Sequence, residues 1–190
     1  MGQTKSDWRR ALLAARTAIS ETTRRVASDA IAKRVIALPG FGKVGSILGY
    51  VAMGAEVDAT AVLAAASAAE SPVYLPCADH STESPLWVEY GGLATAHGGV
   101  DARALKYPVL AIVPGVGFDF SGIRLGRGGG FYDRALAALR AAGHVQVIGL
   151  AFECQIVPVL PHDPWDQGVD AVVSDRRIVR PGRTEKAYAS

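Results

Sequence analysis

The sequence predicts an α/β domain of three layers, in which a largely parallel sheet is covered by helices on both faces. Short apolar segments bounded by glycine or proline alternate along the chain with segments of helical periodicity. Runs of consecutive apolar residues are typical of strands that are buried on both faces. The 190 residues, 49% of them hydrophobic and 20% charged, suffice for one ordinary domain with a sizeable core.

The first third of the chain predicts helix, helix, strand and helix. Two helices are expected within residues 6–38, where apolar residues recur at helical spacing: Trp8, Leu12, Ala15 and Ile19. Ser20 is a suitable N-cap for the second helix. The glycine-bounded apolar run 44–51 predicts a buried strand, and Asp58 is expected to cap an alanine-rich helix that ends near Glu70.

The remainder alternates strands with one long helix. Further short strands are predicted at 73–75, 86–90, 109–113, 145–152 and 169–173. A glycine-rich loop spans 115–130, and a helix is expected to run from Phe131 to about Ala142, where Gly143 ends it. No internal repeat or linker is evident, so residues 1–190 are expected to form one domain with a frayed tail over about 181–190.

Composition excludes several classes of protein. The net charge of +2 gives no global basic field for nucleic acid or an anionic membrane, so any phosphate recognition must be local. The two cysteines, Cys77 and Cys154, form no metal-binding pattern, and we expect reduced, buried thiols. The polar N-terminus lacks the apolar core of a signal peptide, and no apolar run approaches the length of a membrane span. These features predict a cytoplasmic protein.

The most informative stretch is the glycine-rich loop between a buried strand and a helix start, VPGVGFDFSGIRLGRGGGFYDR at 113–134. Glycines let backbone N–H groups approach an anion, and Arg124 and Arg127 supply forked cationic donors. The Walker pattern is absent, and the dinucleotide pattern fails because Phe131 stands where its third glycine should be. The segment is therefore a phosphate loop of another kind or only a flexible turn, and the two arginines favour an anion site.

This stretch resembles the signature of 5-formyltetrahydrofolate cyclo-ligases, also called methenyltetrahydrofolate synthetases. The resemblance covers nearly the whole chain. Its other matching positions are Lys5, Arg9, residues 50–56, residues 149–153, Gln155, Leu160, Pro161, Asp166, Val169 and Asp170. It implies a fold like that of sugar-phosphate isomerases and CoA transferases, Mg²⁺ as cofactor and ATP as co-substrate. The implied partners are small molecules, with no nucleic acid or membrane, and a monomer is favoured.

The resemblance also implies a reaction. The γ-phosphoryl group of ATP is expected to activate the N5-formyl oxygen of 5-formyltetrahydrofolate, after which N10 attacks the formyl carbon and phosphate leaves. Such chemistry depends on positioning, on cations around the phosphates and on a bridging metal. Arg124 and Arg127 are the candidates for stabilising the charge that develops on the phosphoryl group.

Residue by residue, the resemblance places ATP at two segments. Lys5 and Arg9 lie on one face of the first helix, with Arg16 on the same stripe, although such residues often form only a solvated face. The other ATP-binding positions are Arg124, Leu125, Gly126, Arg127, Gly128, Gly129, Gly130, Phe131 and Tyr132. Some members of the family have lysine at the position of Gly129 and tyrosine at that of Phe131, so a charge and a hydroxyl are missing here.

The folate and metal positions complete the implied site. Folate contacts are expected at Val51, Met53, Glu56, Arg127, Gly128, Gly129, Gly130 and Phe131. Tyr50, Trp87, Phe118 and Tyr132 could stack on a ring or simply pack in the core. Asp133 and Asp166 match the Mg²⁺ positions. Asp133 could instead only favour the helix start, and Asp163 or Asp170 could replace Asp166.

Two rival functions remain open at this point. A phosphosugar isomerase would need an acid/base pair near the loop and no ATP. A folate-binding protein without turnover is the other rival, and only Gly129 and Phe131 favour it.

Overall fold

The computed structural model describes residues 3–77, 85–91 and 99–182 and shows the predicted three-layer α/β arrangement. The α-helices are α1 (Lys5–Thr17), α2 (Glu21–Ile36), α3 (Thr60–Ala68) and α4 (Phe131–Ala142). The strands are β1 (Ser46–Leu48), β2 (Val73–Pro76), β3 (Trp87–Glu89), β4 (Val109–Pro114), β5 (Gly117–Asp119), β6 (Arg124–Leu125), β7 (Val145–Leu150), β8 (Ile156–Val157), β9 (Ala171–Val173) and β10 (Ile178–Val179). Short 3-10 turns cover Ala102–Ala104 and Glu153–Gln155.

A seven-stranded sheet forms the middle layer, in the order β10-β9-β7-β4-β1-β2-β3. Its five inner strands run parallel, and the edge strands β3 and β10 are antiparallel to their neighbours. Side chains of the central strand β4 alternate between the two faces. Leu110 and Ile112 join the core under α2 and α3, whereas Val109, Ala111 and Val113 join the core under α4. Burial on both faces explains the unbroken apolar run of this strand.

A second, three-stranded sheet, β6-β5-β8, was not predicted. It lies inside and beyond the stretch that the sequence analysis treated as a glycine-rich loop, where β5 and β6 form an antiparallel hairpin. Helix α1 packs on this sheet through Leu12, which shares a small apolar core with Val116, Leu125 and Leu160. The second sheet therefore fixes α1 next to the loop.

Most predicted elements are confirmed, with one wrong helix cap. Ser20 caps α2, because its hydroxyl accepts the backbone N–H of Thr23 at 3.2 Å. Asp58 does not cap α3, whose N-cap is Ala59. The carboxylate of Asp58 instead accepts the backbone N–H and the hydroxyl of Thr60, the first residue of the helix. The predicted tail lies almost entirely outside the described residues.

The two cysteines are free, as predicted, but they are not buried. Cys77 follows β2 and is partly exposed, and Cys154 lies exposed in a 3-10 turn after β7. None of the helices in the described ranges combines the length and hydropathy that a bilayer span requires. A cytoplasmic location stays a prediction from the sequence.

Candidate active site

A cavity of about 1370 Å³ lies at the carboxyl ends of β1, β2 and β4. This edge is where open parallel sheets usually bind ligands. The cavity is lined by all the positions that the family resemblance assigns to ATP, folate or metal: Lys5, Arg9, Val51, Met53, Glu56, Arg124, Leu125, Gly126, Arg127, Gly128, Gly129, Gly130, Phe131, Tyr132, Asp133 and Asp166. Segments far apart in the chain thus meet around one space.

The glycine-rich loop reaches the cavity after β6 and ends at the start of α4. Gly128 and Gly130 have φ of +106° and +66°, in the region that favours glycine, and Gly130 is the N-cap of α4. Gly126 is required for another reason. A Cβ atom on it would lie 2.8 Å from Nη1 of Arg124. The glycines therefore permit both the turn into the helix and the close approach of an arginine.

Arg124 is held rigidly in the wall of the cavity. Its side chain is only 3% exposed, and its Nη2 donates to Oδ1 of Asp133 at 2.9 Å. The guanidinium carbon lies 5.4 Å from the ring centroid of Tyr132. The same Asp133 oxygen accepts the backbone N–H of Gln167 at 3.1 Å, which joins α4 to the segment that carries Asp166.

Lys5, the first residue of α1, reaches this segment too. Thr4 and Asp7 form a capping box that starts α1 at Lys5. Nζ of Lys5 donates to Oδ2 of Asp163 at 2.7 Å and also to Oδ2 of Asp166. Burial by itself lowers the pKa of Lys5, but its bonds to Asp163 and Asp166 outweigh this effect and raise it.

Asp166 is the more enclosed of these two carboxylates. It also accepts the backbone N–H of Asp163 at 2.8 Å. Burial acts to raise the pKa of Asp166, but the hydrogen bonds from Lys5 and Asp163, with the nearby charge of Arg124, give a net lowering. Asp166 is thereby kept as an anion at neutral pH.

The other side of the cavity is closed by an ion pair. Arg127 donates through Nε and Nη2 to Oε1 of Glu56, at 3.2 and 2.8 Å. The second oxygen of Glu56 accepts the backbone N–H of Met53 at 3.0 Å. The Glu56 side chain is 7% exposed and that of Arg127 is 52% exposed. Both oxygens of this proposed folate acceptor therefore already accept hydrogen bonds within the protein.

The two candidate metal carboxylates fit Mg²⁺ only together with ligands from outside the protein. Asp133 and Asp166 each keep one oxygen, Oδ2 and Oδ1 respectively, that accepts no hydrogen bond from the described residues. No group of three or more His, Cys, Asp or Glu side chains suited to a metal occurs in the described ranges. Mg²⁺ commonly takes one or two carboxylates, with phosphate oxygens and water as its other ligands.

The structure alters the sequence-based interpretation of three other residues. Arg16 is buried and does not line the cavity; its Nη1 donates to the carbonyl of Gly115 at 3.3 Å, and burial lowers its pKa. Trp87 and Phe118 are buried core residues that do not line the cavity, so they offer it no stacking surface.

Trp165 and Arg134 are among the lining residues that the sequence analysis missed. Trp165 is 68% exposed at the rim, between the two carboxylates that hold Lys5. Arg134 follows Asp133 in α4. The position of Trp165 between Asp163 and Asp166 could have indicated a place at the site. Nothing in the helical pattern of α4 distinguishes Arg134 from an ordinary surface arginine.

Comparison with known proteins shows which family the chain resembles. Residues 1–175 match the model of the 5-formyltetrahydrofolate cyclo-ligase family. A 5-formyltetrahydrofolate cyclo-ligase of Mycolicibacterium smegmatis is 30% identical over 189 residues, which cover 92% of this chain and 95% of the relative. One from Escherichia coli K12 is 41% identical over 78 residues, 41% of this chain and 42% of the relative.

A solved structure extends the likeness to the fold. The NMR structure of Aquifex aeolicus 5,10-methenyltetrahydrofolate synthetase matches with a TM-score of 0.75 and 29% identity, and the match covers 97% of each chain. The match of the family model to nearly the whole chain, together with these relatives, shows that the protein is an enzyme of the 5-formyltetrahydrofolate cyclo-ligase family.

Proposed function

We propose that the protein converts 5-formyltetrahydrofolate to 5,10-methenyltetrahydrofolate in a reaction that consumes ATP and requires Mg²⁺. One observation carries the proposal: a single cavity is lined both by the glycine-rich loop with its arginines and by the segment of Val51, Met53 and Glu56. The first group suits phosphate and the second suits an aromatic ring system with N–H donors. Two ligands that must react with each other would meet in this space.

The phosphates of ATP bind at the loop and the start of α4. The backbone N–H groups of the glycines and the positive end of the helix favour an anion there. Lys5 and Arg9 approach from α1, and Arg124 approaches from the wall. Because Arg124 is buried and paired with Asp133, its position is set before the ligand arrives, as electrostatic stabilisation of a transition state requires.

Folate binds on the side of Glu56. Its carboxylate accepts N–H groups of the pterin, while the exposed Val51 and Met53 cover an apolar face of the ring. The formyl group then points towards the loop. Asp133 and Asp166 would hold Mg²⁺ together with phosphate oxygens and water, and the bound ion would supply positive charge beside the phosphates.

The chemical steps need little covalent help from the protein. The formyl oxygen attacks the γ-phosphorus, an oxygen–phosphorus bond forms, and ADP leaves with the electrons of the broken bond. The N10 lone pair then attacks the formyl carbon, the carbon–oxygen bond breaks, phosphate leaves and N10 loses its proton. The side chains of Arg124 and Arg127 stabilise the negative charge that gathers on the phosphoryl oxygens.

The proposal is tested by mixing purified protein with 5-formyltetrahydrofolate, Mg²⁺ and ATP and following methenyltetrahydrofolate absorbance in the near ultraviolet. We expect one ADP for each product molecule. Folate binding without product formation would favour the rival of a binding protein that lacks turnover. Absence of both binding and product in folded protein would refute the proposal.

The metal positions have a test of their own. Asp133→Asn and Asp166→Asn should each raise the Mg²⁺ concentration that gives half the maximal rate, because asparagine keeps the shape but removes the charge. Asp29→Asn, on the exposed surface of α2, is the matched control. Normal Mg²⁺ dependence in both site variants would mean that ATP and water hold the metal without these carboxylates.

A further inference from the structure

Not every cation that lines the cavity is paired with a carboxylate. Its cations are Lys5, Arg9, Arg124, Arg127 and Arg134, and its carboxylates are Glu56, Asp133, Asp163 and Asp166. All four carboxylates are engaged by the same three cations: Lys5 binds two of them, and Arg124 and Arg127 bind one each. Among the residues described, Arg9 and Arg134 have no carboxylate partner.

These two arginines flank the glycine-rich loop. Nε of Arg9 donates to the carbonyl of Gly126 at 2.8 Å, and its guanidinium carbon lies 3.8 Å from where a Cβ of Gly128 would be. Nη1 of Arg134 donates to the carbonyl of Gly129 at 3.2 Å. Both guanidinium groups therefore lie against the loop backbone, and each has further N–H groups for a ligand.

The position of Arg134 in its helix is unfavourable for a cation. It is the fourth residue of α4, near the positive end of the helix dipole, where acidic residues are stabilising and basic ones are not. It is also exposed. A bound anion at the helix start would offset this repulsion, so the placement indicates a role in anion binding.

Gly129 adds no charge to the end of the loop, between Arg127 and the start of α4. Nothing lies within 4 Å of the place where its Cβ would be, and its φ is outside the left-handed region. A side chain would therefore fit at this position, yet none is present. The guanidinium of Arg134 lies against the carbonyl of this same residue and is placed to supply the missing charge.

We infer that Arg134 is a phosphate-binding residue and that, with Arg9, it supplies the positive charge at the loop that no carboxylate compensates. This inference rests on the proposed binding of ATP. Because no ion pair must be broken first, Arg9 and Arg134 can meet the phosphates before Arg127 leaves Glu56. Arg134 then contributes to nucleotide affinity and not to folate affinity.

The test measures the affinity of a non-hydrolysable ATP analogue with Mg²⁺, and separately that of 5-formyltetrahydrofolate, by calorimetry. Arg134→Ala should weaken nucleotide binding about tenfold, the size expected for one charge-assisted contact at an exposed site, with folate affinity unchanged. Arg134→Lys should keep most of the affinity. Arg25→Ala, an exposed arginine on α2 outside the cavity, controls for the change in net charge.

A rescue variant separates charge from structure. Adding Gly129→Lys to Arg134→Ala should restore nucleotide affinity, since it returns a cation to the loop. Failure of this rescue, or an Arg134→Ala variant that binds the nucleotide like Arg25→Ala, would overturn the inference. Equal losses of nucleotide and folate affinity would also overturn it. Wild-type protein that binds no nucleotide would overturn the proposed function as well, so the two failures are distinguishable.

Discussion

Asp119 links the fold to the candidate site through one buried carboxylate. Its Oδ1 accepts from the backbone N–H and hydroxyl of Ser121 and from the N–H of Ile123, which closes the hairpin between β5 and β6. Its Oδ2 accepts the N–H of Leu160 at 2.9 Å, at the start of the segment that carries Asp166. The residue is 1% exposed, so water cannot replace these partners.

Asp119→Asn should destabilise the protein by about 2–4 kcal/mol. If the amide oxygen keeps the three donors of Ser121 and Ile123, the amide NH₂ faces the N–H of Leu160. The loss of that bond leaves a buried donor unsatisfied, which costs about 1–3 kcal/mol. Three bonds to a charged acceptor become bonds to a neutral one, which costs roughly 1 kcal/mol more. For a chain of this size the loss corresponds to about 5–15 °C in Tm.

Urea denaturation followed by circular dichroism measures the free energy of unfolding. The matched control is Asp101→Asn, because Asp101 accepts the N–H groups of Arg103 and Ala104 at an exposed N-cap. Asparagine is nearly as good as aspartate at such a position, so this variant should change stability by less than about 0.5 kcal/mol. Equal effects of the two substitutions would refute the argument from burial.

Three further predictions follow from the cavity. Glu56→Gln should weaken folate binding about tenfold, because a neutral amide replaces the proposed pterin acceptor, and should strengthen nucleotide binding, because Arg127 no longer leaves an ion pair, as two calorimetric titrations would show. Gly128→Ala should destabilise by about 1 kcal/mol or more and Gly129→Ala should be nearly neutral in thermal melts, since only Gly128 has a positive φ. Burial acts to raise the pKa of Asp166, but the hydrogen bonds from Lys5 and Asp163, with the nearby positive charge, together outweigh it, so the folded-state pKa lies below the ordinary value of 3.8. The ionised Asp166 therefore adds to the free energy of unfolding above pH 3.8, and this contribution is lost as the pH falls through the lower folded pKa. In Asp166→Asn, the free energy of unfolding measured by urea denaturation should fall less steeply between pH 6 and pH 2.

Elements with a strong local signal could be predicted from the sequence, and those that depend on distant pairing could not. The bounds of α4 agree with the prediction because Phe131 follows a run of glycines and Gly143 ends the periodicity. The strands β5, β6 and β8 have two or three residues each and carry no pattern of their own. They form because β5 pairs with both neighbours, and one of these lies more than thirty residues away in the chain.

The identity of the cavity residues was predictable through family resemblance, whereas their partners were not. The sequence offered Arg127 for phosphate and Glu56 for folate as independent residues, but in the fold the two are paired at 2.8 Å. Their proximity depends on how the segment after β1 approaches the loop after β6, which no local pattern encodes. For Cys154 the prediction of a buried thiol was wrong. It rested on the average preference of free cysteine for the interior, whereas this residue lies in a surface turn.

The pairing of Arg127 with Glu56 has a consequence for how the two proposed substrates would enter. Each residue neutralises the other while the cavity holds no ligand, so neither charge is buried alone. A phosphate that draws Arg127 away exposes the carboxylate that the pterin needs, and a pterin on Glu56 releases the guanidinium for phosphate. Either ligand then removes a competitor of the other, which makes their binding mutually favourable by linkage. On the proposed function, the salt bridge between Arg127 and Glu56 would therefore couple the binding of the two substrates and would not be only a structural contact.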